Sequence, residues 1–541
     1  MRIKLIAMML AGVLCLSSCV GAQVSKESGT APEAFPVQME RVLFTVGKNS
    51  YHINGNVIND RASYIVDGVT LVPLRVISEG LGAEVTWHEA DGSIDVVRAG
   101  KTLKLKIGDS TAYVDGAAQP LLAAPVLDGD TTMVPVRFIS ENFGLEVSFA
   151  EARGVVSLVR REIAPAQIDE QKLAAAKQLV LDRTKNMDEA CKDKFPEGAI
   201  DGKYNPTQDP GWVGGFYCGL NYLSHDWSDA AIYAQTAAAT REKLENIIMK
   251  NPGSLTHDIG FTAYLSAYQE YIRSGNEASK LAVIAAGDAL LRRVQEGGYI
   301  HAWDAWGDSE EGRENYYRMI ADTMCNLPIL CKSSQITGDA KYLDAAWLHA
   351  KRSQQYIIRD DFTTTHTYVF NPDGSPKYQR THQGANDNSC WARGHAWVIY
   401  GMAMMYRATG DVSFLESAKN CADTYFQKTD TDLVPRWDMI YQNDETQPKD
   451  SSAASIAACG LMDIYASTND TFYRDAAYHI FESLYDSYST KDNPDAQNIL
   501  DHATGHKPQN KNVDAGLIYG DYYFAELVAR LNGSFQLEAN L

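Results

Sequence analysis

The chain has 541 residues, more than one hydrophobic core usually holds together, so at least two domains are expected. With 45% hydrophobic and 22% charged residues it has the composition of a globular protein, not of a disordered one. The net charge of −20 argues against DNA or RNA as a partner, because phosphate binding requires clustered lysine and arginine. An anionic small ligand is still compatible, since an acidic protein can carry a local cationic pocket.

Residues 1–19 have the pattern of an export signal: two early basic residues, an apolar run too short to span a membrane, then small residues. The end of the run, LSSC, resembles a bacterial lipobox and predicts that Cys19 is lipidated. The alternative is an ordinary signal peptide cleaved near Ala22. We therefore expect an exported protein, lipid-anchored on the outer side of the cytoplasmic membrane or secreted. Residues 20–41 are polar, contain proline and predict a tether.

Residues 42–161 contain an internal repeat with the alternation of β-strands. The run LVPLRVISEGLGAEVTW returns 62 residues later as MVPVRFISENFGLEVSF, with Pro73 and Pro135 at equivalent positions. A D-G turn precedes each copy, and each copy predicts strand, short helix and strand. The short helices are expected at Val76–Leu81 and Phe138–Phe143. The repeats together predict a small α+β domain.

This pair of repeats resembles the domain first named from the N-terminus of copper amine oxidases, which is common on bacterial surface proteins. The resemblance implies no copper chemistry here, because residues 42–161 show no cluster of metal ligands. It implies a stalk, or a module that binds cell wall or polysaccharide.

The cysteines favour buried free thiols over a disulfide framework or a zinc site. Two of the nine belong to the export signal, and no C-x-x-C pair occurs. The other seven are scattered through apolar helical stretches, where cysteine behaves as a small hydrophobic residue. They are Cys191, Cys218, Cys325, Cys331, Cys390, Cys421 and Cys459.

From residue 165 onward apolar residues recur at three- and four-residue spacing, which is typical of amphipathic helices. Short polar turns such as TGD alternate with mostly long connections. Twelve helices joined in this way predict a mainly α domain over residues 165–541, an (α/α)6 toroid of six antiparallel hairpins closed into a ring. The predicted helices are 166–186, 212–224, 228–250, 257–274, 277–295, 316–337, 340–358, 388–409, 412–428, 450–467, 470–486 and 515–532.

The long connections meet the N-terminal ends of the even-numbered helices on one face of the predicted ring. Helix N-termini carry partial positive charge and free N–H groups, which suit an anionic ligand. Long loops over a rigid scaffold are also where binding residues concentrate. Polar or aromatic residues stand at the start of five of these helices, so we expect a pocket at this face.

Asp258 and Asp322 form the most informative pair at this face. Asp258 precedes an apolar Ile-Gly-Phe, and Asp322 lies in an amphipathic segment. A carboxyl group in an apolar cavity has a raised pKa and can donate a proton near neutral pH. The structural alternatives are a helix N-cap for Asp258 and a solvated helix position for Asp322. The coincidence of both at one mouth favours a catalytic role.

Arg393 stands in a helix rich in apolar residues and needs an anionic partner. That partner is either a protein carboxylate or a substrate carboxylate. Trp212 and Trp397 either stack on sugar rings or pack in the core.

The loop before the eighth predicted helix carries His366, Thr381 and Gln383. A lone loop histidine is usually a surface residue, so the loop by itself decides nothing. His502 and His506 are four residues apart, but a glycine lies between them before a long loop, and we predict no metal site there.

Seven runs in order along residues 165–535 resemble the unsaturated glucuronyl hydrolases of glycoside hydrolase family 88. The runs are W-x-x-GF from Trp212, HDIGF at 257–261, D-T-M-x-N-L-P at 322–328, THQG at 381–384, WARGHAW at 391–397, DSSAASIAA at 450–458 and TGHKPQNKNVDAGLIYGDYYF at 504–524. A related family of unsaturated rhamnogalacturonyl hydrolases shares the fold and is the nearest rival. A non-catalytic surface glycan-binding protein is the competing class.

The resemblance implies that Asp322 is the general acid/base and that Asp258 assists it. Such an enzyme releases a 4,5-unsaturated uronic acid from the non-reducing end of lyase-generated oligosaccharides by hydrating the C4=C5 double bond, and needs no cofactor. Glycosaminoglycans or other uronate polymers are the expected sources. The resemblance also implies substrate contacts from Trp212 and Trp397, which would stack on the rings, and from His366, Thr381, Gln383 and Arg393, which would surround the uronate.

The sequence departs from the family pattern in two places. Tyr217-Cys218 stands where the family usually has Trp-Pro, and His395 stands where glutamine is common. These departures concern the preference for the leaving sugar more than the chemistry.

Overall fold

The computed structural model describes residues 36–535. The predicted signal peptide at 1–19 and most of the predicted tether lie outside the described residues. The first strand begins at Val37, so the predicted end of the tether at residue 41 is wrong. Val37–Thr45 pairs along its whole length with Val155–Ile163, and this pairing draws the end of the predicted tether into a sheet.

Between Val37 and Ile163 the chain forms fourteen strands and two short helices. The strands are β1 (Val37–Thr45), β2 (Ser50–Ile53), β3 (Asn56–Asn59), β4 (Tyr64–Val66), β5 (Val69–Pro73), β6 (Glu84–His88), β7 (Ser93–Arg98), β8 (Lys101–Lys106), β9 (Thr111–Val114), β10 (Ala117–Pro120), β11 (Val126–Asp128), β12 (Thr131–Pro135), β13 (Glu146–Ala150) and β14 (Val155–Ile163). The helices are α1 (Leu74–Gly80) and α2 (Val136–Asn142). Three antiparallel sheets result, with the orders β13-β14-β1-β2-β3, β10-β9-β8-β7-β6 and β11-β12-β5-β4.

The two sequence repeats pair with each other through equivalent strands. β5 and β12 run antiparallel with Val72 opposite Val134, so the copies are joined at the same point of their sequence. The repeated hairpin turns match as well: Asn54 and Asp115 have φ of 48° and 49°, the left-handed values that a two-residue hairpin turn requires. Both short helices begin two residues earlier than predicted, directly after the proline of each repeat.

From residue 170 the chain is helical in the predicted alternation. The helices are α3 (Glu170–Cys191), α4 (Gly214–Ser228), α5 (Ala231–Lys250), α6 (Ile259–Tyr264), α7 (Ala267–Ser274), α8 (Glu277–Leu291), α9 (Glu310–Glu314), α10 (Pro328–Thr337), α11 (Lys341–Arg352), α12 (Ala392–Thr409), α13 (Val412–Lys428), α14 (Ser451–Thr468), α15 (Thr471–Ser483) and α16 (Ile518–Leu531). The predicted fourth helix is split into α6 and α7 at Ser266, which has non-helical backbone angles. The predicted sixth helix starts later, at Pro328, because a strand and a 3-10 turn (Ala321–Cys325) precede it.

Six helical hairpins close into a ring, which confirms the predicted (α/α)6 toroid. The second helix of each hairpin lines the inside, where α12 packs on α14, α14 on α16, and α16 on α4. These inner helices are α4, α6 with α7, α10, α12, α14 and α16. Small residues allow this close packing: α14 is buried along most of its length and contains a run of alanines and serines. The inner helices end at residues with left-handed backbone angles, which begin the short turns. These residues include Gly275, Gly338, Gly410 and Asn469.

The long loops on the opposite face form two small sheets. One contains β15 (Gly198–Ile200), β16 (Lys203–Tyr204), β20 (Ala503–His506) and β21 (Lys511–Leu517), in the order β16-β15-β21-β20. The other contains β17 (Arg318–Ile320), β18 (Thr367–Phe370) and β19 (Pro376–Arg380). Because β15 pairs with β21, the first long loop of the ring is joined to the last.

A buried ion pair and buried arginine hydrogen bonds attach the N-terminal domain to the outer helix α13. Arg161 of β14 donates to both carboxylate oxygens of Asp423, whose side chain has no exposed surface. Arg41 of β1 is 1% exposed and donates to the Asn420 carbonyl and the Thr424 hydroxyl. The two domains therefore meet through a desolvated, charge-paired junction.

The predicted buried free thiols are confirmed for all seven cysteines between residues 191 and 459. Within residues 36–535, none of the helices combines the length and the apolar character that a membrane span requires.

Candidate active site

A cavity of about 230 Å³ opens on the long-loop face of the toroid, where the sequence predicts a pocket. Asp258 and Asp322 both line it, and so do three of the predicted binding residues: Trp212, Gln383 and Arg393. The structure thus brings together side chains that are far apart in the chain.

Asp322 lies on the 3-10 turn that follows β17. Its side chain is 14% exposed, so the alternative of a solvated helix position is wrong. Its Oδ2 atom is buried and has no hydrogen-bond partner among the described residues. Burial is the main cause that raises the pKa of Asp322 to about 6, and the neighbouring carboxyl of Asp258 adds to the rise. A carboxylic acid of this kind can hold a proton near neutral pH and give it away.

Asp258 ends a 3-10 turn directly before α6, and its side chain is 16% exposed. It makes no capping hydrogen bond to that helix, so the alternative of a helix N-cap is wrong. Burial raises the pKa of Asp258 to about 7, although hydrogen bonds from Asn326 and Thr256 and the charge of Arg293 act in the opposite direction. The cavity therefore holds two carboxyl groups that both favour the protonated form.

Asn326 ties the two carboxyl-bearing segments together. Its side-chain oxygen accepts a hydrogen bond from Phe261 N at 2.6 Å, and its Nδ2 donates to Asp322 O at 3.2 Å. Gly260 allows this approach, since a Cβ atom there would lie 2.4 Å from the Asn326 carbonyl oxygen. The Gly of HDIGF and the Asn of D-T-M-x-N thus position Asp258 against Asp322.

His366 is buried beneath the cavity, close to Asp322. Its Nδ1 accepts two backbone hydrogen bonds, from His382 N and Gln383 N, both at 3.0 Å. The neutral ring therefore carries its proton on Nε2, which lies 3.9 Å from Asp322 Oδ2. Burial keeps the pKa of His366 well below its usual value, so the ring is neutral. His366 presents an N–H group to the side of Asp322 that has no other partner.

Arg393 has a protein carboxylate as its partner, which resolves the two alternatives left by the sequence. Its Nη1 donates to Asp450 Oδ2 at 2.9 Å and to Thr504 O at 2.6 Å, and its Nη2 donates to Gly505 O at 2.6 Å. The guanidinium also lies over the Trp391 ring, 4.5 Å from its centroid. Arg393 thus holds the loop at residues 504–505 against the cavity wall and still contributes to the lining.

Gln383 and Thr381 play different parts in the same loop. Gln383 reaches the cavity, and its Nε2 donates to Gly505 O at 3.0 Å. The hydroxyl oxygen of Thr381 accepts from Gly384 N at 2.8 Å, within the turn. Thr381 is not part of the cavity lining and shapes the loop from behind.

The two predicted sugar-stacking tryptophans occupy different environments. Trp212 lines the cavity and stacks on Tyr519 with 5.0 Å between ring centroids. Trp397 is completely buried and packs against Phe261 and Tyr523. The structure therefore contradicts a stacking role for Trp397, because position 397 of α12 points into the core of the ring.

Several lining residues were missed by the sequence analysis. Most lie in the long loops, where no helical or strand period marks which side chains face inward. All of them except Glu197 stood within matched runs but carried no separate signal. The missed lining residues include Glu197, His257, His382, His506, Gln509, Asn512 and Tyr519.

The cavity has little free charge at its rim. Lys511 pairs with Glu197 at 2.6 Å, and both side chains are partly exposed. Across residues 36–535 there is no group of three or more histidine, cysteine or acidic side chains placed to hold a metal ion. The chemistry that the described side chains offer is proton transfer by Asp322 and Asp258.

A toroid of helical hairpins with two buried carboxyl groups and an aromatic wall at its loop face has the make-up of a glycoside hydrolase. The sequence model of Glycosyl Hydrolase Family 88 matches residues 184–524, and the chain belongs to this family. The model described as the copper amine oxidase N-terminal domain matches residues 52–158. Both resemblances noted in the sequence are confirmed.

Characterised relatives match the toroid region. The chain is 33% identical over 352 residues to an unsaturated glucuronyl hydrolase of Bacillus sp. (strain GL1), a match that covers 63% of this chain and 91% of the relative. It is 32% identical over 354 residues to an unsaturated chondroitin disaccharide hydrolase of Streptococcus pneumoniae, covering 64% and 88%. A crystal structure of the unsaturated glucuronyl hydrolase from Bacillus sp. GL1 superposes with a TM-score of 0.63 at 31% identity, covering 66% of this chain and 96% of that one.

Proposed function

We propose that the protein hydrates the C4=C5 double bond of a 4,5-unsaturated uronic acid at the non-reducing end of lyase-generated oligosaccharides and thereby releases that sugar. The observation that carries the proposal is Asp322: a buried carboxyl group with a raised pKa, one oxygen without a partner, and a position in the cavity. Relatives named unsaturated glucuronyl hydrolase and unsaturated chondroitin disaccharide hydrolase support it.

The reaction needs one group that first gives and then takes a proton. Protonated Asp322 delivers its proton to C4, and the positive charge that forms at C5 is shared with the ring oxygen. Water then adds at C5, and the Asp322 carboxylate takes the proton that the water loses. The C5 hemiketal opens, and the hemiacetal left at C1 expels the leaving sugar.

The surrounding side chains assist this sequence. The Nε2–H of His366 faces the Asp322 oxygen on which negative charge appears after the first proton transfer. Trp212 offers an apolar ring face at the cavity wall for a sugar. Gln383 and Arg393 both bind the Gly505 carbonyl, and so hold the wall in place as the substrate enters.

The test is loss of the ultraviolet absorbance of the unsaturated uronate, followed with the chain from residue 20 onward. Disaccharides released by lyases from chondroitin, hyaluronan and heparin are compared with an unsaturated rhamnogalacturonan disaccharide. We expect rapid loss with the wild type and a rate at least about 100-fold lower with Asp322→Asn. Reaction of the rhamnogalacturonan disaccharide alone would replace the proposed substrate class. Binding of an oligosaccharide without reaction would establish the non-catalytic alternative.

We also propose that the protein works outside the cytoplasmic membrane, anchored by lipid on Cys19. The pattern of residues 1–19 supports this. Incorporation of labelled palmitate into the wild type and not into Cys19→Ser would agree with it. An unlabelled wild-type protein in the culture medium would instead indicate a secreted enzyme. The ligand of the N-terminal domain, in cell wall or polysaccharide, stays a prediction.

A further inference from the structure

We propose that His257 is a positioning residue that keeps Asp258 in its protonated, uncharged form beside Asp322. The catalytic meaning of this inference rests on the proposed function, whereas the protonation state itself does not.

The hydrogen bonds of the His257 ring fix where its proton lies. The ring is buried, with 2% of its surface exposed, and its Nδ1 lies 2.9 Å from the Ala302 carbonyl oxygen. A carbonyl oxygen only accepts, so Nδ1 carries the hydrogen. In a neutral ring Nε2 then holds a lone pair, and this atom lies 3.3 Å from Asp258 Oδ1. Among the described residues Nε2 makes no hydrogen bond, so an unshared lone pair lies beside this carboxyl oxygen. A lone pair this close disfavours a negative charge on Oδ1 and therefore favours a protonated Asp258.

The two states to compare are a protonated Asp258 beside a neutral His257 ring and an Asp258 carboxylate beside a His257 imidazolium. Burial favours the uncharged pair, because two buried charges lose their hydration. Arg293 acts in the same direction on the ring, since its guanidinium donates to the same Ala302 oxygen at 3.0 Å and repels an imidazolium. On Asp258 it acts in the opposite direction, as do the hydrogen bonds from Asn326 and Thr256, but burial outweighs all three. Burial lowers the pKa of His257 to about 4 and raises that of Asp258 to about 7.

Charges on the neighbouring elements have also to be considered. A carboxylate at Asp322 would favour an imidazolium at His257, but Asp322 itself favours its protonated form. Asp304 pairs with Arg293 at 3.4 Å and partly offsets its charge. His301 and His349 are titratable rings nearby; burial lowers the pKa of His301 to about 4 and that of His349 to about 3, so neither adds positive charge at neutral pH. The uncharged pair remains the favoured state.

The two histidines of the site therefore act in opposite ways. His366 presents an N–H to Asp322, and His257 presents a lone pair to Asp258. An uncharged Asp258 spares Asp322 a neighbouring negative charge when Asp322 ionises. In this arrangement Asp258 keeps its proton through the reaction, and Asp322 is the acid that gives its proton to the substrate.

The direct test is long-range ¹H–¹⁵N NMR of the wild-type chain with ¹⁵N-labelled histidine, since this distinguishes the two tautomers and the imidazolium. The His257 signals are assigned by their loss in His257→Asn. We expect a neutral ring with the proton on Nδ1 throughout the neutral pH range. An imidazolium at neutral pH, or a proton on Nε2 alone, would overturn the proposal. This readout is independent of activity, so it stands or falls separately from the proposed reaction.

The kinetic test compares His257→Asn with His301→Asn. The asparagine amide can still donate to Ala302 O but places no acceptor where Nε2 was, so Asp258 ionises at lower pH and raises the pKa of Asp322. For His257→Asn we expect kcat to fall about tenfold, KM to change little, and the pH profile of kcat to shift to higher pH. His301 is also buried and bonded to a carbonyl, that of Trp303, so its variant controls for lost packing and should leave the profile in place. An unmoved profile in a folded His257→Asn would contradict the inference.

Discussion

The molecule buries carboxyl groups in two places and treats them in opposite ways. At the domain junction Asp423 has no exposed surface and receives two hydrogen bonds from Arg161. At the cavity Asp258 and Asp322 are slightly more exposed, and among the described residues the basic side chains in contact with them are the neutral rings of His257 and His366. At the junction the carboxylate is bound to a guanidinium and serves the packing of two domains. At the cavity the two carboxyl groups have no such partner, and burial raises the pKa of each, so they can exchange a proton.

The strongest test of this contrast replaces one carboxyl group in each place by an amide, through an aspartate-to-asparagine substitution. Asp322→Asn keeps the shape and removes the acid, so activity should fall about 10²- to 10⁴-fold while the fold is retained. The measurement is kcat/KM on an unsaturated disaccharide, with thermal unfolding as the control for folding. Substantial remaining activity would mean that another group supplies the proton.

Asp423→Asn should produce the opposite pattern. It leaves the buried Arg161 with Glu146 as its remaining carboxylate partner. Breaking a buried ion pair in this way lowers the free energy of unfolding by about 3 kcal/mol or more. Activity per folded molecule should be unchanged, because the junction lies outside the cavity lining. Denaturant unfolding measures the loss, and Arg137→Ala, at an exposed ion pair with Glu141, is the control with little expected effect. Equal stability of both variants would show that the junction is weak.

The pH dependence of the free energy of unfolding sharpens the contrast further. A carboxyl whose pKa is higher in the folded than in the unfolded chain stabilises the fold below its unfolded pKa, and this stabilisation is lost as pH rises through the folded pKa. For Asp322 and Asp258 the loss should fall between about pH 4 and pH 7. The double variant Asp258→Asn/Asp322→Asn should therefore lose less stability over that range than the wild type. Parallel curves for the two proteins would contradict the raised pKa values.

The smallest expected effect is at the rim of the cavity. Lys511 pairs with Glu197 in a partly exposed position, where such pairs contribute about 0–1 kcal/mol. Lys511→Ala should leave the free energy of unfolding almost unchanged, as measured by denaturant unfolding with Lys185→Ala as an exposed control. A large loss of stability would mean that the pair closes the loop and is structural.

The sequence was a good guide where its signals were periodic or where motifs lay on secondary structure. The alternation of short and long links predicted the ring, and HDIGF and D-T-M-x-N-L-P pointed to Asp258 and Asp322. It failed for Trp397, since a motif gives a helix position but not the side of the helix that faces the cavity. Nor could it give the partner of His257, because the contact depends on how the Ala302 loop folds back.

The junction shows a second limit of sequence reasoning. Arg41 and Arg161 stand in strands that read as an ordinary repeat, and their partners come more than 250 positions later in an outer helix. No local pattern links residues that far apart. The sequence predicted two domains, and only the structure shows that they share buried charges.

The pairing of Gly198 with Leu517 has a consequence for how the protein is made. The first long loop is completed only by a strand that lies next to the last helix, so during synthesis the ring stays open until nearly the whole chain has emerged. Cavity residues from Glu197 to Tyr519 are then brought together in the final step. A chain that ends before β21 lacks the strand that joins the two ends of the ring and lacks lining residues such as Lys511 and Tyr519, so catalytic competence belongs to the finished polypeptide.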